Sequence, residues 1–335
     1  MEETRDQVIQ SELAQVKQKA PLIEGVTLVT CVELSVRLSI KVTGQKHVTL
    51  IVMFPPKYPH EPLIMELKSK TLSEKLLDGL LKVCDEQAKK WLGQRQILLL
   101  TNFVLNFLHE NPLCVCSDEI QTVKKNLLTS DDSLKLKQKT AEIGLKIKQD
   151  KYFMNIRIGV PEGYPAKQVT DVIFFSVEVD EHNYPELLKT NFAGQAIEIA
   201  RRCVQPPLKK KPKDPPFQIK ASLLPVCTFL VESLKKYPRM LCPLCKEQAL
   251  PTNPDEKLSD PRKKVERVYC GHLFHFGCLK RYLRTPPFAD GKMCPDCGKQ
   301  IFHEKWKLSP QLAEARWAHK QARERELAEV MDFLE

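Results

Sequence analysis

Cys270-Gly271-His272-Leu273-Phe274-His275-Phe276-Gly277-Cys278 places four metal-ligand side chains in one short run. Working outward, a Cys-x2-Cys pair flanks it on each side, Cys242 with Cys245 upstream and Cys294 with Cys297 downstream. The pattern reads Cys-x2-Cys, 24 residues, Cys-x-His-x2-His-x2-Cys, 15 residues, Cys-x2-Cys. Six of the chain's 12 cysteines and two of its eight histidines fall here. Each close pair is a chelating hook. Thiolate sulfur and imidazole nitrogen are the ligands zinc prefers, and four of them close a tetrahedral structural site. Eight ligands predict two zinc ions per chain, with no position left for a catalytic water. Disulfides would leave both histidines unexplained. The segment is only about 60 residues long and poor in large apolar side chains, so its folding should be coupled to metal.

The full chain has 335 residues, room for two or three domains. It is 42% hydrophobic and 28% charged, ordinary for a globular protein. No apolar run approaches a membrane span. Met1–Asp6 is acidic and polar and does not read as a secretory signal. The expected compartment is therefore cytoplasmic or nuclear. There the other six cysteines (Cys31, Cys84, Cys114, Cys116, Cys203, Cys227) are reduced thiols. The net charge is +10. Part of it sits in Lys209-Lys210-Lys211-Pro212-Lys213, inside the proline-rich stretch 206–216. That run fits a nuclear address or, preferably, a solvated linker. No aromatic residues are interleaved with it, which argues against a nucleic-acid stacking platform.

The first two thirds contain a repeat. Leu50–Pro59 (LIVMFPPKYP) has a cousin in Ile156–Pro165 (IRIGVPEGYP), and Leu98–Pro112 has one in Leu224–Pro238. The offset grows from 106 to 126 residues, and the basic linker is a natural home for the difference. Thr4–Lys19 shows helical spacing, with Val8, Ile9, Leu13 and Val16 on one face. Val26–Phe54 reads as three strands and Leu63–Leu67 as a fourth. Leu72–Trp91 and Gln96–His109 read as helices. The second copy predicts strands near Leu134–Lys139, Ile143–Lys148, Tyr152–Val160 and Val172–Val179. Helices follow at Pro185–Cys203 and Ala221–Lys236, with a weaker opening helix at Asp118–Leu128.

Helix, four strands, Tyr-Pro, two helices: this order resembles the RWD family, a relative of the ubiquitin-conjugating fold. The first copy holds that family's YPxxxP motif whole, as Tyr58-Pro59-His60-Glu61-Pro62. The second has Tyr164-Pro165, but Gln168 stands where the last proline belongs, so it is a degenerate copy. The His-Pro-Asn triplet of conjugating enzymes is absent from both. Cys84 falls on an apolar helix face and Cys31 in a strand, positions that suit core thiols rather than nucleophiles. The copies are expected to be docking modules. Cys114-x-Cys116 receives no role.

The order of the eight ligands resembles the RING family, in the form with histidine at the fourth and fifth positions (RING-H2). The resemblance implies interleaved hooks. One zinc would be held by Cys242, Cys245, His275 and Cys278, the other by Cys270, His272, Cys294 and Cys297. It also implies recruitment of a ubiquitin-charged conjugating enzyme through Leu244, Tyr282 and Pro295. One departure stands out. Many family members carry Arg or Lys after the last ligand, and this chain has Gly298. No cysteine follows Cys297 in this sequence, so transfer through a second, thiol-bearing zinc domain is not expected. Lys246–Tyr269 reads as a solvated loop. Ser309-Pro310 opens a helix, with Leu312, Trp317, Leu327, Met331 and Leu334 as a possible stripe.

These observations predict an α+β chain. An RWD domain would span 1–113, a degenerate RWD-like domain 118–238 (basic insertion near 205–216), a RING zinc finger 239–304 and a C-terminal helix 309–335. The expected function is RING-type ubiquitin transferase. The RING would bind the charged conjugating enzyme and the RWD domains a substrate or complex partner. No residue of the chain would form a covalent intermediate, and no membrane is implied. The alternative is a non-catalytic scaffold of the same domains.

Overall fold

The structure is a computed structural model that describes residues 4–165, 176–206, 216–254, 260–289, 291–302 and 309–334. Gln168 and Lys209–Lys213 lie outside the described residues. The chain divides into two compact units, and the division passes through its middle third: Leu145 and Ile156 belong to the first unit, Lys146 and Asn155 to the second.

Helix α1 (Arg5–Lys19) opens the first unit. The Gln7 side chain accepts a hydrogen bond from the Thr4 N–H at 2.9 Å, closing the start of the helix. Its Val8, Ile9, Leu13 and Val16 are buried, the face that the spacing predicts. Strands β1 (Val26–Cys31), β2 (Val36–Lys41), β3 (His47–Met53) and β4 (Ile64–Lys68) form an antiparallel meander in that order. Alternation decides which face is covered. Val36, Leu38 and Ile40 of β2 point inward, as do Val48, Leu50 and Val52 of β3 and Met65 and Leu67 of β4. Helices α2 (Glu74–Lys90) and α3 (Ile97–Glu110) complete the layer, with Leu77, Leu80 and Cys84 of α2 buried against the same core. Cys84 is fully buried, and burial pushes its thiol up to about 12, as expected of an inert core residue.

One polar contact ties three elements of this domain. Tyr58, after β3, donates its hydroxyl to Glu12 of α1. The other oxygen of Glu12 accepts the Ile97 N–H at 2.8 Å, and the Tyr58 oxygen accepts the Gln96 N–H at 3.3 Å. Both donors are unsatisfied groups at the start of α3, which a helix must satisfy from outside itself. Burial holds the Glu12 carboxyl above its usual range, against the opposing pull of these donors.

The next elements are helix α4 (Ser117–Thr122), continued as one wider turn over Val123–Leu127, and strands β5 (Ser133–Lys137), β6 (Glu142–Gln149), β7 (Tyr152–Gly159) and β8 (Ser176–His182). The strands form a second sheet in sequential order. Ile143, Leu145 and Ile147 alternate inward on β6, and Tyr152, Met154, Ile156 and Ile158 on β7. Helices α5 (Glu186–Val204) and α6 (Leu223–Lys236) follow. Here too a tyrosine, Tyr164, donates to a glutamate, Glu119 of α4. Glu119 accepts the Leu224 N–H at 2.9 Å, and the Tyr164 oxygen accepts the N–H groups of Ser222 and Leu223. None of the described helices is long and apolar enough to cross a membrane.

Glu12→Ala would leave the Ile97 N–H without its buried acceptor and the Tyr58 hydroxyl with only the Gln94 carbonyl, at 3.3 Å. One orphaned buried donor costs about 1–3 kcal/mol, and that is the expected loss. Urea denaturation should read it as a lower midpoint at unchanged slope. A loss well under 1 kcal/mol would mean that water replaces the carboxylate.

Candidate metal centre

Two turns of one kind frame the centre. In the first, the Cys242 N–H donates to the Glu247 carbonyl (2.8 Å) and the Lys246 N–H to the Cys242 carbonyl (2.9 Å). In the second, the Cys294 N–H donates to the Lys299 carbonyl (2.8 Å) and the Gly298 N–H to the Cys294 carbonyl (2.9 Å). Each turn drives the residue after its second cysteine into left-handed backbone: Lys246 at φ 61° and Gly298 at φ 65°. In return, N–H groups reach the sulfurs, those of Leu244 and Cys245 at Cys242 and that of Lys299 at Cys297.

Between the turns, β9 (Val265–Arg267) pairs antiparallel with β10 (Leu273–His275), and α7 (Phe276–Leu283) follows directly. Cys270 and His272 lie in the connection from β9 to β10. His275 ends β10 and stands at the cap position of α7, and Cys278 lies in that helix's first turn. A spacing of three residues across a helix start brings both side chains to one side.

The geometry gathers Cys242, Cys245, His275 and Cys278 into one cluster and Cys270, His272, Cys294 and Cys297 into another. Within each, the ligand atoms all lie within 4.8 Å of one another. These are the interleaved sets that the RING resemblance implies. His275 Nδ1 is 3.2 Å from Cys245 Sγ and 4.0 Å from Cys278 Sγ. His272 Nδ1 is 3.3 Å from Cys270 Sγ and 3.6 Å from Cys294 Sγ. Tetrahedral zinc, with its usual bond lengths, sets nitrogen and sulfur about 3.6 Å apart.

The far nitrogen of each ring is engaged as well. His275 Nε2 lies 3.1 Å from the Gln248 carbonyl, and His272 Nε2 lies 3.3 Å from the Asp296 carboxylate. Such partners fix the ring with Nδ1 free to bind metal. The thiols do not ionise evenly. Burial opposes ionisation of Cys242, but bonds from His275 and from backbone N–H groups overcome it and hold the thiol at about 6. Burial and the neighbouring thiols push Cys270 up to about 11 and Cys278 to about 12. A dication offsets that mutual repulsion, and the donor set therefore fits two zinc ions.

Little else holds the segment together. Its buried cluster is Cys242, Val268, Phe274, Leu279, Cys294 and Ile301, and two of those six are ligands. Leu244 and Tyr282 are half-buried against it, while Pro295 is exposed. The Tyr282 hydroxyl donates to the Met293 carbonyl at 2.8 Å. The buried Lys292 ammonium sits 4.7 Å from the Tyr282 ring centre and 5.3 Å from that of Phe288, and donates to the Thr285 carbonyl at 2.5 Å. Sequence reasoning missed Lys292, since a lysine in a polar loop gives no sign that two aromatic rings will enclose it.

Lys246–Tyr269 is not the plain solvated loop expected from its composition. Ala249, Leu250, Val265 and Val268 are buried, and Pro261–Lys263 forms a short helical turn. Apolar residues too scattered to show a period still pack once the ligands fix both ends of the stretch. The C-terminal helix α8 (Pro310–Leu334) forms as predicted, but its partly covered residues include Ala313, Trp317 and Gln321. Leu312, Leu327 and Met331 of the expected stripe are exposed.

Comparison with known proteins agrees with this geometry. Residues 10–108 match the RWD domain, and residues 242–297 match the zinc finger of C3HC4 type, the RING finger. His275 stands where that type's name places a cysteine, the fifth ligand. A 62-residue stretch is 31% identical to the ERAD-associated E3 ubiquitin-protein ligase HRD1 of Eremothecium gossypii. The stretch is 18% of this chain and only 9% of that relative.

Metal analysis of the purified chain should give two zinc ions per molecule, and one or none would contradict the interleaved assignment. Asp296→Ala should weaken the His272 site about tenfold, at the low end for a lost partner of this kind because Asp296 is partly exposed. Competition with a chelator, run beside the unsubstituted chain, measures it. Two RWD-fold helices packed on a four-stranded sheet, followed by ligands cross-braced in two tetrads, identify the chain as one that carries an RWD domain and a RING finger.

Proposed function

We propose that the chain is a RING-type ubiquitin ligase. The carrying observation is the pair of interleaved ligand tetrads, and the assignment of Leu244, Tyr282 and Pro295 to recruitment rests on their positions relative to those ligands. Leu244 sits inside the first hook, just before its second ligand, Tyr282 lies on α7 and Pro295 sits inside the last hook. In this reading the three residues contact a ubiquitin-charged conjugating enzyme. Every ligand position is filled by protein, so the metals serve structure. Catalysis then comes from proximity and orientation, with ubiquitin passing directly from the conjugating enzyme to a substrate lysine.

The RWD domain is proposed to bind a substrate or complex partner. We read residues 118–238 as a second, degenerate RWD-like domain. Support comes from the same strand order, the two helices that follow, and the Tyr164–Glu119 contact that parallels Tyr58–Glu12. The proposed compartment is the cytoplasm or nucleus, where free thiols persist.

A scaffold is the second reading, and Gly298 favours it. The position after the last ligand lacks the cation that many family members carry. The backbone there is left-handed, and a Cβ would meet no atom within 4 Å. Lys246 adopts the same conformation in the first turn. An arginine is therefore tolerated at Gly298 for about 1 kcal/mol of backbone strain.

Reconstitution with activating enzyme, ubiquitin and a panel of conjugating enzymes separates the two readings. The ligase reading expects ubiquitin chains that Leu244→Ala abolishes and Gly298→Arg increases. Silence of the wild type and of Gly298→Arg across the whole panel, with two zinc ions bound, moves the assignment to a scaffold.

A further inference from the structure

Helices α7 and α8 border a cleft of about 970 Å³. Its charged lining is of one sign. Lys280 and Arg281 come from α7, Arg284 from the residue just after it, Arg316 and Lys320 from α8, and Arg262 from the short turn before β9. No Asp or Glu lines it among the described residues. Phe276, Leu283 and Trp317 supply an apolar floor.

The arginines are unspent. Among the described residues, the guanidinium groups of Arg262, Arg281, Arg284 and Arg316 enter no ion pair. Lys320 pairs with Glu324 at 3.2 Å on an exposed helix face, a contact of little worth that an incoming anion can replace. Lys280 lies over the Phe276 ring at 5.7 Å and keeps its charge available. Arg262 reaches the cleft because residue 277 is glycine. A Cβ there would stand 2.8 Å from the Arg262 Cβ and 3.2 Å from its carbonyl oxygen. Arginine forks bind carboxylates in pairs, and six cations held around one cavity raise the local potential well above that of a scattered surface.

We propose that this cleft binds an acidic peptide segment of a partner protein, one that sets carboxylates against the arginines and an apolar side chain against Trp317 and Phe276. The volume suits a few residues. Single-stranded nucleic acid is disfavoured, because it needs a row of aromatic rings along a basic track, and here the two rings lie in one bounded pocket. Phe276 and Lys280 lie four residues apart along one side of α7, with Arg284 just past its end, while Cys278 and Tyr282 lie half a turn away. A peptide in the cleft and a protein on Tyr282 can therefore occupy α7 together. The binding itself does not depend on ligase activity.

The test is fluorescence anisotropy with the zinc-loaded full chain and a labelled peptide of glutamates around a central leucine. The controls are the same peptide with Gln for Glu and a labelled single-stranded oligonucleotide. The expected result is binding of the Glu peptide alone, weakened about tenfold or more by the double variant Arg284→Glu with Arg316→Glu at unchanged zinc content. Gln replacement of Lys209, Lys210, Lys211 and Lys213 should leave it unchanged. Equal binding of the Glu and Gln peptides, tighter binding of the oligonucleotide, or loss of binding only on replacing those lysines would overturn the proposal.

Discussion

Residues 242–297 hold together only if metal stands where a hydrophobic core would. The RWD domain closes around buried residues contributed by α1, four strands, α2 and α3. The main buried cluster of the zinc module has six members, two of them ligands. Burial on that scale cannot offset the entropy of ordering about 60 residues. The topology adds a second constraint. Cys270 and His272 lie between Cys245 and His275 in sequence but serve the other metal. Each zinc therefore closes a loop that contains a hook of its neighbour, and neither can be lost without loosening the other. The surface carrying Leu244, Tyr282 and Pro295 inherits its shape from that coupling.

In the first half of the chain the corresponding constraint is a buried carboxylate. Glu12 is nearly inaccessible, and its position costs desolvation that raises its pKa. It is kept because one side chain serves the Tyr58 hydroxyl and the first free N–H of α3, so that α1, the turn after β3 and the start of α3 meet at a point. Glu119, Tyr164 and Leu224 repeat the arrangement. In both places a glutamate from the opening helix and a Tyr-Pro tyrosine meet the N-terminus of the last helix. At Glu12 a carboxyl that is expensive to bury is retained where it fixes three elements in one register.

Much of this was legible in the sequence, because the relevant signals are local. Period-two alternation marks β2 through β4, helical spacing marks α1, α2 and α3, and hooks of two or three residues mark the ligands. What was not legible depends on long-range partners. Glu12 looks like any charge on an amphipathic helix until Tyr58, 46 residues away, reaches it. Val265 and Val268 look like loop residues until coordination fixes the ends of their segment. Lys292 looks solvated until Tyr282 and Phe288 enclose it. On α8 the expected stripe divides: Trp317 lines the cleft beside α7, while Leu312, Leu327 and Met331 are exposed.

Helix α7 draws these constraints together. Its start carries Cys278 and follows His275, so metal sets its position. Its Leu279 is fully buried, so the small core sets its rotation. Tyr282 is then fixed twice, by its bond to the Met293 carbonyl and by the Lys292 ammonium over its ring. With position and rotation both determined, the opposite side of the helix has no freedom left, and the arginines there face the cleft as a consequence. Gly277 allows the Arg262 turn to close against that side. One short helix thus carries an aromatic residue on one side and cations on the other, and the ligands at its start fix both sides together.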